Sequence, residues 1–277
     1  MPKLHDCLGS NTHERNKTLN TLNDREVSTK SVYLAFRNGQ LILPLENEKP
    51  ASALAQFVHN QFRSLILDKH FACLAAQAAL KQGAYRFGLY PEIGSHEATV
   101  ELSEALHTFV LEQPSLGSGF TTFIASFVAP TATDEEHFER LLWLQLQRLH
   151  DMDHVCWDSL VSSDPQDPRF SFSFAGRAFF VVGLHSNSTR WTRRFAWPTL
   201  VFNAHKQFEQ LRQKGLFERF QQKIRGRDQM LQGSINPNLA NFGELTDARQ
   251  YSGRPVEEAW RCPFRVRQTQ EKDSYCG

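Results

Sequence analysis

The chain has 277 residues, a formal net charge of +1, 40% apolar residues and 22 Phe. This length fits one large domain or two small ones, and the apolar content is sufficient for a sizeable core. The balanced charge argues against a nucleic-acid-binding protein, and no apolar run approaches the roughly 20 residues of a membrane span. The N-terminal 30 residues lack the apolar stretch of a signal peptide, so we expect a cytoplasmic protein with no membrane partner.

Hydrophobic periodicity separates helices from strands along the chain. In the first half of the chain it predicts helices at 52–67, 73–80 and 95–110 and strands at 85–90 and 121–128. A further helix is predicted to begin at a capping box at 133–136 and to end at 150–154. Strands at 170–174, 178–184 and 199–202 follow, and then helices at 208–212 and 216–227. Phe170, Phe172 and Phe174 alternate with serines, which predicts a hairpin in the middle of an antiparallel sheet.

This order of elements favours an α+β fold, with a largely antiparallel sheet flanked by helices in a single domain. Residues 1–45 are polar at their start, and we predict a flexible N-terminal arm there. The domain is predicted to span 46–265, and a C-terminal tail 266–277. No internal repeat is visible in the sequence.

An arginine-dense turn follows the strand predicted at 178–184. It contains Arg190, Arg193 and Arg194 within five residues. Guanidinium groups so close together repel one another unless they face solvent or share an anion such as a carboxylate or a phosphate. A solvated basic loop with salt bridges to nearby Asp and Glu fits the spacing equally well. The sequence leaves both alternatives open.

Three histidines are candidates for chemistry. His150 and His154 have the i, i+4 spacing that can place two imidazoles on one metal ion, provided that the helix persists that far. A histidine at a helix C-terminus is also stabilised by the helix dipole, which makes an ordinary helix end an equally reasonable interpretation. His185 follows a predicted strand and fits a catalytic base or ligand, although a hydrogen-bonded turn residue is the more common case.

Two carboxylates, Glu92 and Asp228, could recognise a guanidine group through bidentate contact, but Asp228 has Arg225 and Arg227 as neighbours and could pair with them instead.

Cys73 lies in an Ala-rich segment and resembles a small buried hydrophobic residue. The chain has no Cys-x-x-Cys pair, nucleotide-binding fingerprint or Gly-x-Ser-x-Gly motif. Zinc ribbons, iron–sulfur clusters, nucleotide-binding proteins and common hydrolases therefore find no support.

Several segments in order resemble the YqcI/YcgG family, which includes the heme-dependent N-hydroxylase of guanitoxin biosynthesis. The resemblance covers about 51–264 and is carried by Phe71-Ala-Cys73, the segment 85–92, Leu149-His150-Asp151 with Trp157, His185-Ser-Asn-Ser-Thr-Arg190, Arg193-Arg194-Phe195, and the segments 198–203, 224–228, 250–254 and 262–264. The chain is similar, more distantly, to the heme enzyme that N-hydroxylates arginine in D-cycloserine biosynthesis, chiefly around His150 and at the Arg193-Arg194 pair.

The resemblance implies heme b as cofactor, with His150 as the axial ligand of the iron. It also implies that Arg190, Arg193 and Arg194 bind the propionates and that Trp143 and the Phe172/Phe174 face pack against the macrocycle. The implied reaction is hydroxylation of a guanidino or amino nitrogen in a small metabolite, with electrons from an external donor.

His185 and Glu92 are the candidate catalytic residues in this interpretation. The sequence leaves open a heme carrier or sensor without turnover, and a non-heme iron protein that uses His150 and His154. The oligomeric state is also open, with a homodimer as one option.

Overall fold

A five-stranded mixed sheet is the central element of the computed structural model, which describes residues 32–117, 119–238 and 243–267. Its strands lie in the order β4-β5-β8-β7-β6. They are β4 (Tyr85–Glu92), β5 (Thr122–Ala129), β6 (Phe172–Phe174), β7 (Arg177–Leu184) and β8 (Thr199–Ala204). A smaller antiparallel sheet contains β1 (Ala35–Arg37), β2 (Gln40–Leu43) and β3 (Lys49–Pro50).

Seven α-helices are formed by the described residues. They are α1 (Ala53–Leu67), α2 (Leu74–Gln82), α3 (His96–Glu112), α4 (Glu135–Met152), α5 (His205–Gln213), α6 (Phe217–Gln232) and the short α7 (Ala248–Tyr251). The predicted α+β class is therefore confirmed.

The pairing within the large sheet is antiparallel except between β4 and β5. These two strands run parallel because α3 lies between them in the chain and returns it to the same end of the sheet. The predicted hairpin forms as β6 and β7, joined at Ala175 and Gly176, which both have positive φ. It lies at the edge of the sheet rather than in the middle, because only β7 continues to pair, with β8.

Three helices begin at a polar residue whose side chain caps the first turn. The Ser52 hydroxyl accepts a hydrogen bond from the Ala55 N–H and caps α1, as Ser95 caps α3. The predicted capping box at 133–136 is displaced by one residue, since the side chain of Asp134, and not Thr133, accepts from the His137 N–H. The α4 helix ends at Met152 with Asp153 as its C-cap.

The large sheet has a hydrophobic core on each face. Successive residues of a strand point to opposite faces. On β7, Phe179 and Val181 pack into a core with α3 and α4, whereas Val182 and Leu184 pack into a second core with α1 and the small sheet. The two cores therefore lie on opposite faces of the sheet.

The prediction of a flexible N-terminal arm over residues 1–45 is wrong for the part that contains β1 and β2. Leu34 and Leu41 are fully buried in the second core, and β1 and β2 lie within this range. The backbone of Leu34 also exchanges hydrogen bonds with that of Phe87 in β4. The remainder of the arm, and the predicted tail from 268 onward, lie outside the described residues. Within the described ranges, no helix is both long and apolar enough to span a membrane.

Candidate functional site

A cavity of about 220 Å³ lies against the face of the large sheet that carries Val182 and Leu184. We call it the arginine cavity. Its lining residues come from α1, α2, β7, β8, the turn after β7, α6 and α7. They are Phe62, Ile66, Phe71, Ala72, Cys73, Ala76, Phe180, Val182, Leu184, Arg190, Thr192, Arg193, Val201, Asn203, Ile224, Asp228, Asn236 and Gln250. Most of the wall is apolar, and the polar groups converge on it from a few positions, as in many small-molecule sites.

Arg190 and Asp228 form a buried ion pair at this cavity. The Arg190 Nη2 donates to the carboxylate of Asp228 and to the backbone oxygen of Ser234, 2.9 Å away. Both side chains are less than one tenth exposed. Asp228 therefore pairs with an arginine 38 residues earlier in the chain, and not with Arg225 or Arg227.

Arg193 carries a positive charge that has no carboxylate partner among the described residues. Its Nη1 donates to the backbone oxygens of Gly183 at 3.0 Å and Tyr251 at 3.2 Å, and its Nη2 donates to the Gln250 oxygen at 3.2 Å. Burial lowers the pKa of Arg193 to about 10, so the guanidinium is still protonated at neutral pH. Since Asp228 is the only carboxylate that lines the cavity within the described ranges, the cavity has one excess cation and favours an anionic ligand.

Gln250 lines the same cavity with a side chain that is 5% exposed. Its amide is one of the few polar groups on the cavity wall, and its backbone N–H and C=O are hydrogen-bonded to Asp247 and Arg193. Such a group is a candidate contact for a bound molecule.

Cys73 lies at the N-terminus of α2 and lines the cavity with a free thiol. Burial raises the pKa of the Cys73 thiol, and this effect outweighs the backbone N–H groups of Ala76 and Ala75 and the Arg193 guanidinium, which act in the opposite direction. The sequence predicted a small buried hydrophobic residue here. That prediction missed the neighbouring cation, because Arg193 is 120 residues further along the chain.

His150 and Trp143 lie on the opposite face of the sheet, among aromatic rings of the first core. We call this group, which also contains Trp157, Phe170 and Phe264, the aromatic cluster. The His150 ring lies 5.2 Å from that of Phe264 and 5.7 Å from that of Trp157. Trp143 is stacked on Tyr251, with ring centroids 5.7 Å apart.

The His150 Nε2 accepts a hydrogen bond from the backbone N–H of Arg267 at 3.2 Å. Residues 264–267 thus cover the imidazole. His150 and Trp143 do not line the arginine cavity, whereas Arg190 and Arg193 do. Arg193 nevertheless bonds to the backbone of Tyr251, the residue on which Trp143 stacks.

The other predicted site residues are also dispersed. Arg194 is exposed; its Nε donates to the Ser188 oxygen at 2.6 Å, and its guanidinium lies over the Trp191 ring at 4.4 Å. Glu92 is exposed at the end of β4. Since β4 and β7 are three strand spacings apart, about 14 Å, Glu92 and His185 do not form a catalytic pair.

His185 is fully enclosed at the end of β7, with 1% of its surface exposed. Its ring is stacked on Phe138 of α4 at 4.4 Å, on the side of the sheet away from the arginine cavity. Neither ring nitrogen has a hydrogen-bond partner among the described residues, and burial lowers the pKa of His185 to about 4. His185 is therefore a neutral imidazole that does not line the cavity.

The His150 and His154 pair does not form a metal site. The α4 helix ends at Met152, and His154 beyond it is exposed. Among the described residues, no group of three His, Cys, Asp or Glu side chains could hold a metal ion. The two carboxylate oxygens of Asp153 accept hydrogen bonds from the Val155 and Ala175 N–H groups.

Comparison with known proteins identifies the family. The family model described as "YqcI/YcgG family" matches residues 62–265, which include all residues of both the arginine cavity and the aromatic cluster. The chain is similar to the uncharacterized protein YcgG of Bacillus subtilis (strain 168), with 24% identity over 204 residues, covering 70% of this chain and 80% of YcgG. It is also similar to the uncharacterized protein YqcI of the same organism, with 25% identity over 217 residues, covering 74% and 85%. No solved structure matches. The chain belongs to the YqcI/YcgG family.

Proposed function

We propose that this protein is a heme-dependent oxygenase that hydroxylates a guanidino or amino nitrogen of a small metabolite, and that the arginine cavity binds the heme. The observation that carries the proposal is the excess cation of Arg193 in an otherwise apolar cavity. Heme b combines a flat apolar ring with two carboxylates, which need cationic partners when they are buried. The sequence resemblance to heme-dependent N-hydroxylases supports the same cofactor.

The chemistry of the cavity residues fits this group. The side chains of Phe62, Val182, Leu184 and Val201 offer apolar contact to a macrocycle. Arg193 would bind a propionate, and Cys73 supplies a soft donor for iron. The volume of about 220 Å³ encloses part of a heme, and the remainder would occupy the open mouth of the cavity. The aromatic cluster fits less well, because Arg267 already bonds to His150 and residues 264–267 close over the ring.

The bound heme would supply the activation of dioxygen. The overall reaction consumes R–NH₂, O₂, two electrons and two protons, and it yields R–NHOH and water. An external electron donor must supply the two electrons. Gln250 and Asn236, whose polar side chains line the cavity, are positioned to orient the substrate nitrogen by hydrogen bonding.

The proposal is tested with protein purified from cells that are supplied with heme. We expect a Soret absorption band, and a mass gain of one oxygen atom when arginine-like amines are incubated with the protein, oxygen and a chemical or protein reductant. Protein prepared without heme is the matched control and should yield no product. Failure to bind heme would overturn the proposal.

A second candidate, a heme carrier or sensor without turnover, is favoured by one observation. Asp228, the only lining carboxylate in the described ranges, is already paired with Arg190 and is not free as a proton donor. This candidate predicts the same Soret band but no oxygenated product with any amine tested. The product assay therefore separates the two functions.

A further inference from the structure

A buried chain of polar groups joins Ser171, His205 and Asp247, each at most 5% exposed. The Ser171 hydroxyl oxygen lies 2.7 Å from Oδ2 of Asp247 and 3.3 Å from Nδ1 of His205. The Nε2 of His205 lies 3.4 Å from Oε1 of Glu209, which also pairs with Arg212. The chain connects the residue before β6, the first residue of α5 and the residue that precedes α7.

The number of hydrogens in this chain decides its charge. Ser171 has one hydroxyl hydrogen, and a neutral imidazole has one N–H. If Asp247 is a neutral acid, it donates to Ser171, and Ser171 donates to Nδ1 of His205. The Nε2–H of His205 then donates to Glu209, so each contact has one donor and one acceptor. If Asp247 is ionised, Ser171 donates to it instead. His205 then has one hydrogen for two acceptors, and one contact is lost.

Burial favours the neutral acid. It raises the pKa of Asp247 to about 7 and outweighs the Ser171 hydrogen bond and the Arg212 charge, which act in the opposite direction. Burial likewise lowers the pKa of His205, so no imidazolium forms at neutral pH to balance an ionised Asp247. Within the described ranges Asp247 has no ion pair, since Arg212 is paired with Glu209. An ionised Asp247 is therefore a buried charge without a counter-charge, which is unfavourable.

The other titratable groups near this chain do not compensate for that charge. Burial raises the pKa of Tyr251 well above its usual value, and it raises the pKa of Cys262 to about 12, so both groups are neutral. Asp158, whose charge acts on His205, has the same sign of charge as an ionised Asp247.

The α7 helix connects this chain to the arginine cavity. Asp247 immediately precedes the helix, and its backbone oxygen accepts a hydrogen bond from the Gln250 N–H at 2.9 Å. The backbone oxygens of Gln250 and Tyr251 accept from the Arg193 guanidinium, whose other acceptor is Gly183. A displacement of α7 therefore removes two of the three hydrogen-bond acceptors of Arg193.

We propose that protonation of Asp247 is a switch that holds α7 in place and, through it, orients Arg193 in the arginine cavity. The neutral acid binds Ser171 and fixes the start of the helix. The ionised carboxylate is drawn toward water, because a buried charge without a partner is costly. The start of α7 then loosens, and the cavity binds an anion more weakly at alkaline pH. This switch goes beyond the proposed function, since it applies to any anionic ligand of the cavity.

Hydrogen exchange of residues 246–252 tests the switch at pH 6 and pH 8, after correction for the intrinsic pH dependence of exchange. The wild type is compared with Asp247→Asn, whose amide cannot ionise and donates to Ser171 as the neutral acid does. Asp164→Asn, at an exposed position, is the matched control. We expect exchange to be about tenfold faster at pH 8 in the wild type and in the control, and equal at both pH values in Asp247→Asn. Equal exchange in the wild type, or an acceleration that persists in Asp247→Asn, would overturn the proposal.

A titration of the wild type decides the matter if Asp247→Asn does not fold. Carbon-13 NMR of protein labelled at the aspartate carboxyl carbons should show a signal with a midpoint near pH 7. If every aspartate signal has its midpoint below about pH 5, close to the usual range of this residue, Asp247 is ionised at neutral pH and the switch does not exist.

Hemin titration at the same two pH values tests the connection from α7 to the cavity, and this measurement alone rests on the proposed function. We expect the dissociation constant of the wild type to be about tenfold higher at pH 8 than at pH 6, and that of Asp247→Asn to be equal at both. If exchange responds to pH but hemin affinity does not, α7 does not control the cavity and the proposal is wrong. If the wild type binds no heme, the proposed function fails, and the exchange and NMR results still decide the switch.

Discussion

Arg190 in the turn after β7 is joined to Asp228 of α6 by a buried ion pair. This contact connects two segments that are 38 residues apart and closes one side of the arginine cavity. Because Asp228 neutralises Arg190, the charge of Arg193 is the one left for a ligand. The pair is therefore both a structural connection and the reason for the cationic character of the cavity.

Removing Asp228 should destabilise the protein strongly. The substitution Asp228→Ala leaves the buried Arg190 guanidinium without a counter-charge, a loss of about 3–5 kcal/mol in the free energy of unfolding. The exposed pair Arg37–Glu48 is the control, and Glu48→Ala should cost less than about 1 kcal/mol. Urea unfolding measures both values. Equal small losses would mean that the Arg190–Asp228 pair is not buried in solution.

Two glycines should respond to alanine with opposite signs. A Cβ at Gly183 would lie 2.5 Å from the Phe138 ring and 2.9 Å from Leu142, between β7 and α4. Overpacking of this kind costs about 1–3 kcal/mol. A Cβ at Gly226 in α6 meets nothing within 4 Å, and alanine should stabilise that helix by about 0.8–1 kcal/mol. Thermal unfolding tests the pair, and a neutral Gly183→Ala would contradict the observed packing of α4 on the sheet.

The stability of the protein should fall in acid partly because of His185. The pKa of its buried ring is about 4 in the folded protein, against about 6.5 in the unfolded chain. The unfolded chain thus binds the proton first as the pH falls, and stability is lost between about pH 6.5 and 4. This contribution is on the order of 2–3 kcal/mol.

The substitution His185→Leu should remove this part of the pH dependence, measured as the free energy of unfolding at pH 7, 5.5 and 4. His154→Leu, at an exposed position, is the matched control and should retain the wild-type profile. An unchanged profile in His185→Leu would mean that the ring reaches solvent or finds a partner.

Several strands and helix ends were predictable from the sequence because residues that are neighbours along the chain determine them. The alternation of Phe172 and Phe174 with serines gave β6, and Ser52 marked the start of α1. The parallel pairing of β4 with β5 was not predictable in this way, since it depends on where α3 packs. The strands β1 and β2 were missed because the polar composition at the start of the chain was extended to an arm that reaches residue 45.

The site was predictable only in part, for a similar reason. The density of arginines left open a shared anion or salt bridges to nearby carboxylates. Arg190 pairs with Asp228, and Arg190 and Arg193 line one cavity. His150 lies on the buried side of α4. Periodicity could not tell on which face of the sheet α4 packs, and that face decides whether His150 lines the arginine cavity. Cys73 and Gln250 were missed as site residues because the sequence places them far from the arginines.

The heme affinity of three proteins tests most directly whether the arginine cavity is the ligand site. Arg193 lines the cavity and lacks a carboxylate partner within the described ranges, whereas Arg194 one residue later is exposed. We expect hemin titration to give a dissociation constant about 10–100-fold higher for Arg193→Met than for the wild type, from the loss of one charge-assisted hydrogen bond. Arg194→Met should bind as the wild type does. Equal affinities for Arg193→Met and the wild type, or a loss confined to Arg194→Met, would contradict the account.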